Sequence, residues 1–230
     1  MATCSDASET VPSLQWPSPQ PWPAPPQTLQ RPLRLGVLAS GNGSNFEALV
    51  LACRHGPLRA SVDLLVVNNR GCGAQERAER LGIPWQLHDH RHHASRAALD
   101  EALIAAFRGA AVDLVVMAGW MRIVTPTLIA AFPERLINIH PSLLPSFPGL
   151  DAVGQALAAG VTLTGCTAHL VAEQVDSGPI LAQAAVPVHV GDDASSLAER
   201  IHRQEHRILP LAVALAAARL WAPEPAGRQG

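Results

Sequence analysis

The sequence predicts an α/β fold: a mostly parallel sheet with helices on both faces, extended by late antiparallel strands. Three observations carry this. Short, fully apolar runs alternate with helical segments, the pattern of parallel strands buried on both faces. Two longer runs near the C-terminus flank a turn-rich Asp176-Ser177-Gly178-Pro179, which joins neighbouring antiparallel strands. Of the 230 residues, 48% are hydrophobic and 16% charged, enough apolar material for a sizeable core.

The elements follow in order. Residues 33–40 are an apolar run ending at Gly41-Asn42-Gly43. Ser44-Asn45-Phe46-Glu47 has the form of a capping box and predicts a helix through His55. A second run spans 62–68. Residues 74–81 are amphipathic, stop at Gly82 and lead to a short run at 83–87. Ser95 is placed to cap a helix over 95–107, and 112–118 is a third strand, closed by Gly119. Residues 136–140 form a fourth strand, and 162–171 and 180–188 the antiparallel pair. A second capping box at Ser196 and Glu199 starts a helix to Leu220, which Pro210 should kink or split.

Residues 1–32 differ from the rest: they hold eight of the 20 prolines, two of the five tryptophans and no apolar period. They read as a disordered, dispensable tail. Pro23 and Pro26 do form a P-x-x-P, the form a proline-binding module takes. The expected division is a tail over 1–32, a domain over 33–222 and a C-terminal tail over 223–230. The tail lacks the apolar core of a signal peptide, and Asp6 and Glu9 argue against a transit peptide.

Composition also excludes mechanisms. There is no lysine: all 17 basic residues are arginines. No Schiff-base, Walker or general-base lysine can exist. A net charge of −2 without a basic block argues against a nucleic-acid groove. Cys4, Cys53, Cys72 and Cys166 form no C-x-x-C and read as reduced thiols, which places the chain in the cytoplasm. No apolar run reaches the roughly 18–20 residues of a membrane span.

An open parallel sheet binds ligands at the carboxyl ends of its strands. That points to the loops 40–45, 119–122 and 138–149. In Gly41-Asn42-Gly43-Ser44-Asn45 the glycines admit a close ligand, and the helix N–H groups favour an anion such as phosphate. Phe46 stands where a dinucleotide fingerprint needs a third small residue. A plain strand-to-helix turn has the same form.

Asn138 and His140 are two apart on a strand, so they share a face. An amide donor can stabilise an oxyanion, and imidazole suits proton transfer near neutral pH. Spacing alone equally allows a buried pair that satisfies backbone groups. Asp176 is either a turn cap or a carboxylate that orients His140. Two histidine clusters are weaker. His88, His90, His92 and His93 lie in a polar connection that reads as a solvated loop. His202-Arg203-Gln204-Glu205-His206 has the H-x-x-E-H form of a zinc site but no third ligand. No metal is expected.

Five segments occur in order: Ser40-Gly-Asn-Gly-Ser-Asn45, Met121-Arg-Ile-Val124, Asn138-Ile-His-Pro-Ser-Leu-Leu-Pro145, Val175-Asp-Ser-Gly-Pro179 and Gln204-Glu-His206. Together they resemble the phosphoribosylglycinamide formyltransferases, folate-dependent enzymes of de novo purine synthesis, over residues 33–220. The resemblance implies a Rossmann-like formyltransferase fold. It implies formyl transfer from 10-formyltetrahydrofolate to the amine of 5-phosphoribosylglycinamide, giving formylglycinamide ribonucleotide and tetrahydrofolate on the way to IMP. Asn138, His140 and Asp176 match the catalytic trio. Gly43, Ser44 and Asn45 match the phosphate loop, and Glu205 the ribose carboxylate. Arg96, Met121, Arg122, Ile123, Val124, Asn138, Ala172, Glu173, Gln174, Val175 and Asp176 match the folate site.

The implied partners are these two small molecules, with no metal, nucleic acid or membrane, in a monomer or weak homodimer. The chain departs from the common pattern at His202 (often Gln), Asp151 (often His) and Ser146 (often basic). The rival on the same scaffold is a formyltetrahydrofolate hydrolase, which usually carries an N-terminal regulatory domain. Methionyl-tRNA formyltransferase shares the trio but adds a tRNA-binding domain. A silent folate or phosphate binder would not need the trio.

Overall fold

A computed structural model describes residues 14–18, 22–23 and 31–221. In chain order the strands are β1 (Leu14–Trp16), β2 (Leu33–Ala39), β3 (Ala60–Val67), β4 (Trp85–Leu87), β5 (Leu114–Met117), β6 (Leu136–His140), β7 (Leu163–Leu170) and β8 (Ile180–Pro187). The helices are α1 (Ser44–His55), α2 (Gly73–Leu81), α3 (Arg96–Gly109), α4 (Pro126–Ala131), α5 (Ala152–Ala158) and α6 (Ala194–Leu220).

The sheet runs β1-β8-β7-β6-β5-β2-β3-β4. β2 to β6 pair in parallel; β7, β8 and β1 add antiparallel. The chain first builds outward from β2 to β4, then returns to lay β5 on the other side of β2. The order therefore switches between β2 and β5, where a ligand crevice opens beyond the strand ends.

The apolar strands still obey a period of two. Leu35, Val37, Leu114 and Val116 face a core shared with Phe46 and Leu49 of α1 and with Ile208 to Val213 of α6. Leu38, Val115 and Met117 face the opposite core, with Leu103 and Phe107 of α3 and Phe132. Phe107 and Phe132 meet edge-on at 6.2 Å between ring centroids.

The structure departs from the sequence reading at several points. Leu14–Trp16 is not an unstructured tail: it pairs with the outer edge of β8, and Trp22 packs on the core. β8 would otherwise leave a row of backbone groups unpaired, and a three-residue match suffices to use them. Pro26 and residues 223–230 lie outside the described residues.

The capping box at Ser44 does not form. Gly43 takes the N-cap position, without a side-chain cap, and Glu47 turns away to the guanidinium groups of Arg77 and Arg80. The box of the last helix lies three residues earlier than expected. Asp193 accepts from the Ser196 N–H at 2.8 Å, and the Ser196 hydroxyl accepts from the Asp193 N–H at 3.0 Å. α6 is not split at Pro210, which is buried, as are Leu209, Leu211 and Ala212 around it in the chain. That packing outweighs the one ladder bond a proline removes. α4 and α5 were not anticipated; six and seven residues are too few to show a period.

Candidate active site

Three strand ends are tied together by one residue, Ser40. The Ser40 hydroxyl accepts from the Met121 N–H at 2.9 Å, the Ser40 N–H donates to the Gly119 carbonyl at 3.0 Å, and the Asn69 amide donates to the Ser40 carbonyl at 2.7 Å. The loops after β2, β3 and β5 thereby form one wall of the crevice.

β6 supplies the next group. Its period places Asn138 and His140 on one face, and the antiparallel register sets His169 opposite Asn138 and Thr167 opposite His140. Asp176 lies on the loop after β7, in the left-handed region at φ 52°. Its Oδ2 is 3.3 Å from His140 Nδ1 and accepts from the Gly149 N–H at 2.8 Å. Its Oδ1 is 3.5 Å from the Asn138 amide nitrogen and 3.6 Å from His169 Nε2. The three predicted catalytic residues therefore converge.

Burial opposes charge on Asp176. The hydrogen bond from His169, the Gly149 N–H, and the nearby His140 and His169 rings outweigh it and hold the carboxyl below its usual range. The Nε2–H of His140 donates to the Phe147 carbonyl at 2.8 Å, since a carbonyl can only accept. When protonated, the ring donates from both nitrogens, one of them towards Asp176.

His169, Thr167 and Gln183 were missed in the sequence. His169 Nδ1 donates to the Leu170 carbonyl at 2.8 Å, and its Nε2, 3.2 Å from the Asn138 amide nitrogen, faces Asp176. The Thr167 hydroxyl donates to the Ser142 carbonyl at 2.7 Å and accepts from the Leu144 N–H at 3.0 Å. Gln183 donates to the Leu144 carbonyl at 3.0 Å. β7 and β8 thus fix the loop after His140. The available signal was polar residues in an otherwise apolar strand: Thr164, Thr167 and His169 are all buried in β7.

The predicted phosphate loop and the predicted ribose carboxylate also meet. The Asn45 amide donates to Glu205 Oε2 at 2.7 Å, across 160 residues of sequence. Glu205 is 3% exposed. Burial pushes its carboxyl up, against the Asn45 bond and the neighbouring His202 and His140. Gly43 is left-handed at φ 79°, and a Cβ there would lie 2.5 Å from Ala74 Cα. Gly43 thus passes under α2 with no room for a side chain.

Met121 and Ile123 after β5, Leu150, and Val175 before Asp176 expose apolar side chains. Arg122 and Val124 are half-buried, and Val124 packs on the core. Ala172, Glu173 and Gln174 form the open arm of the loop that ends at Asp176. Arg96 does not join the trio: it is exposed at the start of α3, beside Asp100, whose carboxylate holds the Thr125 N–H at 2.6 Å.

The departing residues have local roles. Asp151 caps α5 through the Gly154 N–H at 3.2 Å, the Ser146 carbonyl accepts from the Ser142 hydroxyl at 2.5 Å, and His202 Nε2 lies 4.0 Å from Glu205. In the early histidine cluster, the Asp89 carboxylate is taken by Arg91 at 2.6 Å, and His88 stacks on His93. Among the described residues no three His, Cys, Asp or Glu side chains converge as a metal set.

The mostly parallel sheet thus carries an amide–imidazole–carboxylate cluster and a glycine-rich helix start, the framework of a group-transfer enzyme, and similarity to known proteins gives the class. The formyl transferase family model matches residues 33–213, and the chain belongs to that family. It is 44% identical to the phosphoribosylglycinamide formyltransferase of Bacillus subtilis over 177 residues, 77% of this chain and 91% of that protein. It is 42% identical to the human trifunctional purine biosynthetic protein adenosine-3, over 80% of this chain but only 18% of that protein. The chain therefore spans about a fifth of the trifunctional relatives. The crystal structure of glycinamide ribonucleotide transformylase 1 from Symbiobacterium toebii superposes with a TM-score of 0.80, at 45% identity, covering 81% of this chain and 88% of that one.

Proposed function

We propose that residues 33–222 transfer the formyl group of 10-formyltetrahydrofolate to the amine of 5-phosphoribosylglycinamide. The observation that carries this is the convergence of Asn138, His140 and Asp176, with the Asn45–Glu205 pair at the start of α1. The named relatives support the same substrates.

The N–H groups of Gly43, Ser44 and Asn45 hold the phosphate at the start of α1, and Glu205 takes the ribose hydroxyls. The exposed apolar side chains of Met121, Ile123 and Val175 suit the flat ring of a folate, with Arg122, Val124, Ala172, Glu173 and Gln174 completing its pocket. Arg96 reaches the outer end of that substrate. The amine adds to the formyl carbon, and negative charge develops on the formyl oxygen. The Asn138 amide and protonated His140 donate to that oxyanion. Donation requires one His140 nitrogen to exchange its present partner for substrate. Asp176 orients the ring through its Nδ1, 3.3 Å from Oδ2. A proton leaves the amine and reaches folate N10, directly or through water; the new C–N bond stays and the old one breaks. Fixing both substrates in line removes much of the entropic barrier.

The protein acts on these small molecules as a monomer or weak homodimer, without nucleic acid, membrane or metal. No helix among the described residues is long and apolar enough to cross a membrane, and Cys53, Cys72 and Cys166 are free thiols, which supports a cytoplasmic setting. The test is to supply the formyl donor with and without the ribonucleotide. Tetrahydrofolate should appear only when both are present. Formate release without the ribonucleotide would replace this reading with the hydrolase.

A further inference from the structure

The phosphate loop is held from behind by α2. Arg77 Nε donates to the Asn42 carbonyl at 2.9 Å, and its Nη2 donates to the Asn42 side-chain oxygen at 2.8 Å. Its third nitrogen meets Glu47, which also binds Arg80 at 2.5 Å. The Ala74 N–H donates to the Gly41 carbonyl at 3.0 Å. The contact is tight on both sides: a Cβ on Gly73 would lie 2.7 Å from the Asn42 carbonyl oxygen.

The carbonyls of Gly41 and Asn42 therefore both point at α2. In a trans peptide the N–H points opposite to the C=O. The N–H groups of Asn42 and Gly43 are thereby turned away from α2. Along with those of Ser44 and Asn45, they have no protein partner among the described residues. The Arg77–Glu47–Arg80 trio carries a net positive charge just behind the loop.

We propose that Arg77 is a positioning residue for the acceptor's phosphate. By clamping Asn42 at two points it keeps the loop carbonyls against α2 and leaves the loop N–H groups facing the anion. This rests on the reading of residues 41–45 as the phosphate site.

The test separates the two ideas. Binding of 5-phosphoribosylglycinamide and of its dephosphorylated ribonucleoside is measured calorimetrically for the full chain and for Arg77→Ala. Wild type should prefer the ribonucleotide. Arg77→Ala should lose about tenfold or more of ribonucleotide affinity, the scale of two charge-assisted bonds, and keep its ribonucleoside affinity. Arg77→Lys lacks the planar fork and should fall between. The KM for the formyl donor should not move. Equal wild-type affinity for both ligands would defeat the phosphate-loop reading itself. A wild type that discriminates beside an Arg77→Ala that discriminates equally would overturn the role of Arg77. So would an Arg77→Lys that folds like wild type but loses both ligands alike. Should Arg77→Ala fail to fold, Arg77→Lys alone decides: unchanged discrimination overturns the proposal.

Discussion

Replacing Asp176 by Asn isolates the contribution of one charge. Asn tolerates the left-handed backbone at φ 52° as well as Asp does, and its side-chain oxygen can still accept from the Gly149 N–H. What it loses is the attraction to protonated His140. At 3.3 Å, two unit charges attract by about 5 kcal/mol in an effective dielectric of about 20, against about 1.3 kcal/mol in water. Both side chains are 7% exposed, which favours the larger figure. The amide dipole recovers part of it, so about 3–4 kcal/mol of transition-state stabilisation is lost, or two to three orders of magnitude in kcat. The assay is the initial rate of formylglycinamide formation with both substrates saturating. Folding is followed alongside by thermal melts. Because the fold depresses the Asp176 carboxyl, its stabilising contribution is present above the ordinary value of 3.8 and lost as pH falls through the lower folded value. The variant should therefore melt below wild type at neutral pH, and the gap should close in acid. A kcat within about threefold of wild type would refute the electrostatic role of Asp176.

Three further outcomes follow. Glu205→Gln should raise the Tm at neutral pH, because the fold pushes this buried carboxyl above its ordinary 4.5 and its ionisation costs stability as pH rises; the gain should shrink towards pH 4.5 while the KM for the ribonucleotide rises, and an unchanged KM would remove Glu205 from the site. Gly43→Ala forces a Cβ to 2.5 Å from Ala74 Cα at φ 79°, costing about 2–4 kcal/mol and raising the ribonucleotide KM about tenfold with the donor KM unchanged; equal KM values in wild type and variant would contradict the loop assignment. Deleting residues 1–30 removes β1 and Trp22 and should lower the Tm by about 5 °C, whereas an unchanged Tm would restore the reading of a dispensable tail.

The parallel strands were legible because each is a short apolar run between helical segments, and the antiparallel pair because a turn separates two longer runs. Asn138 and His140 could be placed on one face from strand period alone, and Asp176 could be named as a candidate partner. Its actual contacts were not readable, since they depend on the Gly149 N–H reaching back across 27 residues. His169 was invisible for a related reason. Its position opposite Asn138 is set by the β6–β7 register, which no local pattern specifies. The tail misled because proline content reports what a segment cannot do by itself and is silent about an open sheet edge nearby. The capping boxes misled because Gly43 and Asp193 competed for the N-cap positions and won.

The most direct measurement of the central claim follows a labelled formyl group. With 10-formyltetrahydrofolate carrying the label and the ribonucleotide in excess, the label should pass one-for-one into formylglycinamide ribonucleotide, and His140→Ala should slow that passage by orders of magnitude while both substrates still bind. Label released as formate, or a His140→Ala rate equal to wild type, would contradict the account.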